Sequence, residues 1–162
     1  MIKVSVLTLS DKASKGERED LSGPLIRDIV KGINGEVIHY EIIADELNLI
    51  KEKLISFSKD SDIVFTTGGT GLTPRDVTPE ATMDVIDRLV PGIAEVMRME
   101  GMKKTPNAML SRALAGVRGE CLIINLPGSP KAVKESLEAI IGALPHAVEK
   151  IKGSTSECAR HD

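Results

Sequence analysis

Four short and almost uninterrupted apolar runs punctuate the chain: IKVSVLTL (2–9), EVIHYEII (36–43), DIVFTT (62–67) and CLIINL (121–126). Runs of this length, rich in β-branched side chains, predict strands. Three of them lack the polar alternation of a strand with one wet face, which predicts a sheet covered on both sides. Elsewhere the apolar positions switch to helical spacing. GPLIRDIVKGI sets Leu25, Ile29 and Ile33 on one stripe, with Pro24 suited to a first turn. DELNLIKEKLISFSK aligns Leu47, Ile50, Leu54 and Phe57, with Asp45 placed as an N-cap. TPEATMDVIDRL predicts a helix capped by Thr78, with Pro79 at its first position and Glu80 near its positive end. GIAEVMRMEGM, AVKESLEAIIGA and LPHAVEKI complete the helices. Strands alternating with helices predict an α/β sandwich with a mostly parallel central sheet and helices on both faces. The segment PNAMLSRALAGVRGE (106–120) is expected to add an extra edge strand.

Length and composition narrow the function classes. The 162 residues predict one domain, residues 1–153, followed by a flexible tail, residues 154–162. A net charge of −3 and the lack of any Lys/Arg run argue against a nucleic-acid binder. No signal peptide or membrane span is legible, which predicts a cytoplasmic protein. With Tyr40, Phe57 and Phe65 the only aromatics, a flat ring ligand would be held by backbone, aliphatic and hydrogen-bonding contacts rather than stacking. Cys121 and Cys158 have no metal or redox spacing, and Cys121 reads as a buried small hydrophobe. His39, His146 and His161 are not placed as ligands or bases. There is no nucleophile elbow and no Ser–His–Asp order, which argues against a hydrolase with a covalent intermediate.

Ligands of open α/β sheets bind outside the carboxyl ends of the strands. Here those ends carry SDKASKGERED, GGTGLTPRD and PGSP, and Asp45 follows the second strand. One sheet edge therefore collects Ser10, Asp11, Asp45, Gly68, Gly69, Thr70, Gly71, Asp76, Gly128 and Ser129. Glycines at 68, 69 and 71 suit either a phosphate cradle of backbone N–H groups or a tight strand-to-helix turn. The loop is neither a Walker A nor a dinucleotide fingerprint. Asp76 favours the cradle, because a carboxylate beside a phosphate calls for a bridging cation, and Mg2+ takes one or two carboxylates plus phosphate oxygens. Asp45 is a candidate for the same ion as well as for the cap. Asp11 suits a turn or the ion's surroundings, and Arg75 suits Asp76, a phosphate or solvent.

The segments LTLSDKASKGERED, TTGGTGLTPRDVTPEAT, PGIAEVMR, TPNAMLSRALAGVRG and LIINLPGSPKAVKE closely resemble, in order and across nearly the whole chain, the molybdenum-cofactor biosynthesis family of MogA/MoaB type. The resemblance implies a three-layer α/β fold, commonly trimeric, that binds molybdopterin and MgATP. It implies a molybdopterin adenylyltransferase, moving AMP to the terminal phosphate of molybdopterin and releasing pyrophosphate. Hand-over of product to a molybdenum-insertion protein would follow. By motif the family's two functional aspartates fall on Asp45 and Asp76, as catalytic and metal-holding residues. Its nucleotide loop falls on Gly68, Gly69, Thr70 and Gly71, with Ser10 and Asp11 beside it. The pterin side falls on Ser111, Pro127, Gly128 and Ser129. Two positions depart from the family pattern: Ala44 replaces a proline, and Gly101 stands where plant relatives carry a serine. A non-catalytic pterin carrier and a nucleotide pyrophosphatase are the alternative readings.

Overall fold

Six strands form a single sheet in the computed structural model, which describes residues 1–155. In chain order the strands are β1 (Ile2–Leu9), β2 (Gly35–Ile43), β3 (Ile63–Thr67), β4 (Arg88–Leu89), β5 (Ala115–Arg118) and β6 (Cys121–Leu126). The helices are α1 (Asp11–Ser14), α2 (Ser22–Val30), α3 (Leu47–Phe57), α4 (Thr78–Val85), α5 (Pro91–Met102), α6 (Pro130–Ile140) and α7 (Leu144–Ile151). The sheet order is β2-β1-β3-β6-β5-β4. The first four strands of that order pair in parallel, whereas β5 and β4 pair antiparallel.

Period-two alternation along the central strands builds two cores. Val4, Val6, Ile63, Phe65, Leu122 and Ile124 face α2, α5, α6 and α7, whose Ile26, Val30, Met97, Val133, Leu137 and Leu144 pack on them. Leu7, Leu9, Val64 and Ile123 point the other way, onto Ile50, Leu54 and Phe57 of α3 and Ala81 and Val85 of α4. This is the expected α/β sandwich, helices on both faces. Cys121 is fully buried in the second core, and burial pushes its thiol up to about 12.

Five expectations are corrected in detail. The additional strand within 106–120 is β5, but β4 lies outside it and forms the edge. The helix expected to run to residue 89 stops at Val85, where the Arg118 guanidinium donates to the Val85 carbonyl at 2.7 Å and the chain turns extended at Ile86. The face of α2 that meets the sheet is centred on Ile26 and Val30, with Leu25, Ile29 and Ile33 along its margin. Asp45 does not cap α3: Glu46 holds that position without a side-chain bond. Nor does Thr78 cap α4; it is the first helical residue, and its buried hydroxyl donates to the Gly68 carbonyl at 3.0 Å. Of the expected tail, Ser154 still bonds to the Glu149 carbonyl, while residues 156–162, with Cys158 and His161, lie outside the described residues. No helix among the described residues is long and apolar enough to cross a membrane.

Candidate active site

The carboxyl ends of β1, β2, β3 and β6 converge as the sequence predicts. Ser10 follows β1 directly and caps α1, its Oγ accepting from the Ala13 N–H at 3.1 Å. The next residue, Asp11, is bracketed against Asp45. The Asp11 N–H donates to Asp45 Oδ2 at 3.1 Å, and the Asp45 N–H donates to Asp11 Oδ1 at 3.0 Å. Freed from the helix cap, the Asp45 carboxylate is turned toward the glycine loop. Arg75 does not pair with Asp76. It forks onto Asp11 at 3.0 and 2.8 Å and reaches Glu46 Oε1 at 3.0 Å.

These contacts set opposite electrostatic conditions on two adjacent carboxyls. The Arg75 guanidinium holds Asp11 below the usual carboxylate range. Burial pushes Asp45 above that range; the charges of Asp11 and Asp76 push the same way, against the lowering effect of the Asp11 N–H. Asp45 and Asp76 are thus close enough to repel, and a cation between them would relieve the repulsion.

Each glycine of the loop is required for its own reason. Gly68 and Gly69 have φ of +99° and +66°, in the region that a Cβ disfavours. A Cβ on Gly69 would fall 2.2 Å from Thr78 Oγ1 and 3.1 Å from Asp45 Oδ1. Gly71 has no such φ, yet its Cβ would stand 2.9 Å from Asp76 Oδ2. That oxygen is fixed by the Thr73 N–H at 3.0 Å and the Thr73 hydroxyl at 2.7 Å. The loop therefore makes room for the protein's own carboxylates. It also leaves donors free: among the described residues, no protein acceptor takes the N–H groups of Gly69, Thr70, Gly71 or Leu72. Four consecutive unpartnered N–H groups beside two carboxylates suit an anion that arrives with a cation.

Beside this loop opens a mainly apolar cavity of about 420 Å³, lined by Thr70, Gly71, Met97, Gly101, Ser111 and Pro127, among others. Ser111 Oγ accepts from the Ala113 N–H at 3.3 Å, an undemanding partner. Gly101 packs its backbone there so tightly that a Cβ would meet the Ala108 Cβ at 2.8 Å, so this chain has no room for the serine of plant relatives without a shift. Gly128 and Ser129 do not share that cavity. They line a second hollow with Ser10, Asp20 and Gly68, on the other side of the Pro127–Gly128 backbone. Ser129 caps α6 through the Ala132 N–H at 3.3 Å.

Sequence reasoning missed the residues that hold this edge in place. Buried Asn125 donates to Thr66 Oγ1 and Thr82 Oγ1 at 3.0 and 2.9 Å, tying α4 to the sheet beneath the loop. Asp20 accepts from Thr8, from Tyr40 and from the N–H groups of Ser22 and Gly23, locking the start of α2 to β1 and β2. Arg112, next to Ser111, grips the glycine loop. Its position directly after a singled-out serine was the one available signal; the others leave none in a single sequence.

Residues 5–146 match the family described as "Probable molybdopterin binding domain". A molybdopterin adenylyltransferase of Helicobacter pylori is 48% identical over 157 residues, covering 94% of this chain and 89% of the relative. The crystal structure of the molybdopterin biosynthesis enzyme MoaB from Thermus thermophilus superposes with a TM-score of 0.90 at 51% identity, over 95% of this chain and 98% of that one. The tungsten cofactor synthesizing protein MoaB from Pyrococcus furiosus follows at a TM-score of 0.86 and 37% identity, over 93% and 97%. The chain belongs to the molybdopterin-binding family of MogA/MoaB type.

Proposed function

We propose that this protein is a molybdopterin adenylyltransferase, with residues 1–153 acting as one molybdopterin-binding domain. The observation that carries the reading is the run of free N–H groups at 69–72 between the Asp45 and Asp76 carboxylates, opening onto an apolar cavity. The cavity would take the pterin, with Ser111 and Pro127 at its wall; Gly128 and Ser129 would serve from the far side of the same backbone. Triphosphate oxygens would accept from the 69–72 amides, with Ser10 and Asp11 flanking.

In the reaction the terminal phosphate oxygen of molybdopterin attacks the α-phosphorus of ATP. One P–O bond forms, the bridging P–O bond to the β-phosphate breaks, and pyrophosphate leaves. The nucleophile belongs to the substrate, so the protein needs none, in keeping with a sequence that has no nucleophile elbow and no Ser–His–Asp order. Its contribution is positioning and charge stabilisation.

The donor set suits Mg2+. Among the described residues no cluster of three or more His, Cys, Asp or Glu side chains forms a protein-only cage. Mg2+ instead takes one or two carboxylates and completes its shell with phosphate and water. Asp45 and Asp76 would hold it through Oδ1, which accepts from no protein donor in either residue among those described. When bound it would offset charge on the α-phosphate and the departing pyrophosphate. Asp11, held ionised by its pairing with Arg75, orients Asp45 through their reciprocal N–H-to-carboxylate bonds rather than binding the ion.

The reading is of a cytoplasmic enzyme, since ATP is its co-substrate, and of a homotrimer that passes product to a molybdenum-insertion protein. Exposed Met99, Met102 and Met109, on elements flanking the cavity, are apolar surface of the kind subunits cover. Pyrophosphate release from MgATP that depends on added molybdopterin tests the activity. Tight pterin binding without ATP turnover would instead identify a carrier.

A further inference from the structure

Arg112 makes more contacts with the glycine loop than any function so far assigned to it requires. Its backbone N–H donates to the Thr70 carbonyl at 2.9 Å, and its Nε donates to the Gly71 carbonyl at 2.8 Å. Nη2 donates to the Asp76 carbonyl at 2.6 Å, and Nη1 pairs with Glu80 on α4. One planar guanidinium therefore spans both ends of the segment that carries Asp76 and braces it against a helix. From the other side, Arg98 on α5 donates to the Ser111 and Ala113 carbonyls at 3.3 and 2.8 Å, fixing the backbone from which Arg112 projects.

The chemistry of this clamp is particular to arginine. Three acceptors in different directions need a rigid fork with several donors, whereas a lysine ammonium is a point charge on a flexible stem. The two carbonyls lie near the surface, where water could replace the guanidinium. Losing the clamp would thus cost little folding energy and much geometry. Within the loop, Asp76 is held only by the Thr73 contacts and by its own N–H to the Thr73 carbonyl at 3.0 Å. All of these are internal to the loop and fix nothing relative to Asp45.

We infer that Arg112 is a positioning residue for adenylyl transfer: it sets the distance between the Asp76 and Asp45 carboxylates, and Glu80 holds it in register. The inference rests on the adenylyltransferase reading above. Because Ser111 lines the cavity and Arg112 holds the loop, two adjacent residues join the pterin cavity to the metal-facing carboxylate.

The test compares wild type with Arg112→Lys and, as a milder second variant, Glu80→Gln. Thermal melts check folding. Turnover is measured across Mg2+ and molybdopterin concentrations, and hydrogen exchange is followed at the Thr73 and Asp76 amides. Arg112→Lys should lower kcat about tenfold, since misplacement on the order of 1 Å costs up to about a hundredfold. It should raise the Mg2+ concentration for half-maximal rate, speed exchange at both amides, and leave KM for molybdopterin within about twofold. Glu80→Gln should move the same readouts less, and it decides the matter if the lysine variant does not fold. In an Asp76→Asn background, Arg112→Lys should weaken MgATP binding by less than about twofold more, because one residue acts through the other. A wild type that releases no pyrophosphate overturns the adenylyl-transfer reading itself. A working wild type alongside folded variants with unchanged kcat, Mg2+ midpoint and loop exchange overturns the inference alone.

Discussion

Gly71→Ala and Gly69→Ala make the same chemical change two positions apart, and the structure assigns them different consequences. At 71 the backbone needs no positive φ, and the added Cβ meets a single atom, Asp76 Oδ2, at 2.9 Å. Ordinary contact requires about 3.4 Å, so the carboxylate must retreat by roughly 0.5 Å from its place against Thr73. Those are charge-assisted bonds on an exposed side chain, and their weakening should cost about 1 kcal/mol, or roughly 2–4 °C of melting temperature. Shifting the Asp76 carboxylate by about half an ångström also moves its Oδ1, the oxygen assigned to the metal, and should slow adenylyl transfer roughly tenfold. At 69 the Cβ adds left-handed backbone strain of about 1 kcal/mol and drives the buried Thr78 hydroxyl from the Gly68 carbonyl, for a total of roughly 2–4 kcal/mol. Melting and single-turnover adenylation of both variants would be compared, with calorimetric MgATP titration alongside. Gly71→Ala should stay well folded and lose activity; Gly69→Ala should lose both stability and nucleotide affinity. Full activity in folded Gly71→Ala, or equal loss of stability in the two variants, refutes this assignment.

Three further substitutions separate the roles. Asp76→Asn keeps the Thr73 contacts but removes charge; single-turnover adenylation should fall about a hundredfold, equivalent to ~2.7 kcal/mol, while pterin binding survives. Asp45→Asn should abolish most activity yet raise the melting temperature at neutral pH. Burial and like charges raise the folded-state pKa of Asp45, so its ionised form is a destabilising element that is fully present above that pKa and relieved as pH falls through it. The stability advantage of the variant should therefore shrink in acid, and melts of both proteins across pH would show it; an advantage that grows in acid contradicts the assignment. Ser111→Ala should weaken pterin binding by about 0.5–1.5 kcal/mol and leave MgATP affinity unchanged, because among the described residues its hydroxyl has only the Ala113 N–H as a partner, at 3.3 Å. Calorimetry with each ligand checks this, and equal losses would count against it.

The sheet and most helices were legible because apolar periodicity reports burial, and burial is what each face of this sandwich supplies. The convergence of Ser10, Asp45, Gly68 and Asp76 was legible too, since strand ends in an α/β sheet share an edge. Cap chemistry misled at Asp45 and Thr78. Both are good capping residues locally, but a longer-range partner took each side chain, Asp11 in one case and the Gly68 carbonyl in the other. β4 was hidden because two exposed residues, Arg88 and Leu89, carry no strand pattern of their own; only pairing with β5 defines them. By composition the glycines suit either a ligand cradle or a tight turn. The structure shows them making room for Asp45, Asp76 and Thr78 as well, which composition alone cannot distinguish.

The destination of the adenylyl group tests the central claim most directly. Protein, Mg2+ and ATP labelled at the α-phosphate would be incubated with and without molybdopterin, and both the label and the pyrophosphate followed in a single turnover. The account predicts label appearing on molybdopterin in equal amount to pyrophosphate released, with neither formed when the pterin is left out. Release of pyrophosphate without pterin, or pterin bound with its phosphate unlabelled and the ATP intact, would contradict it.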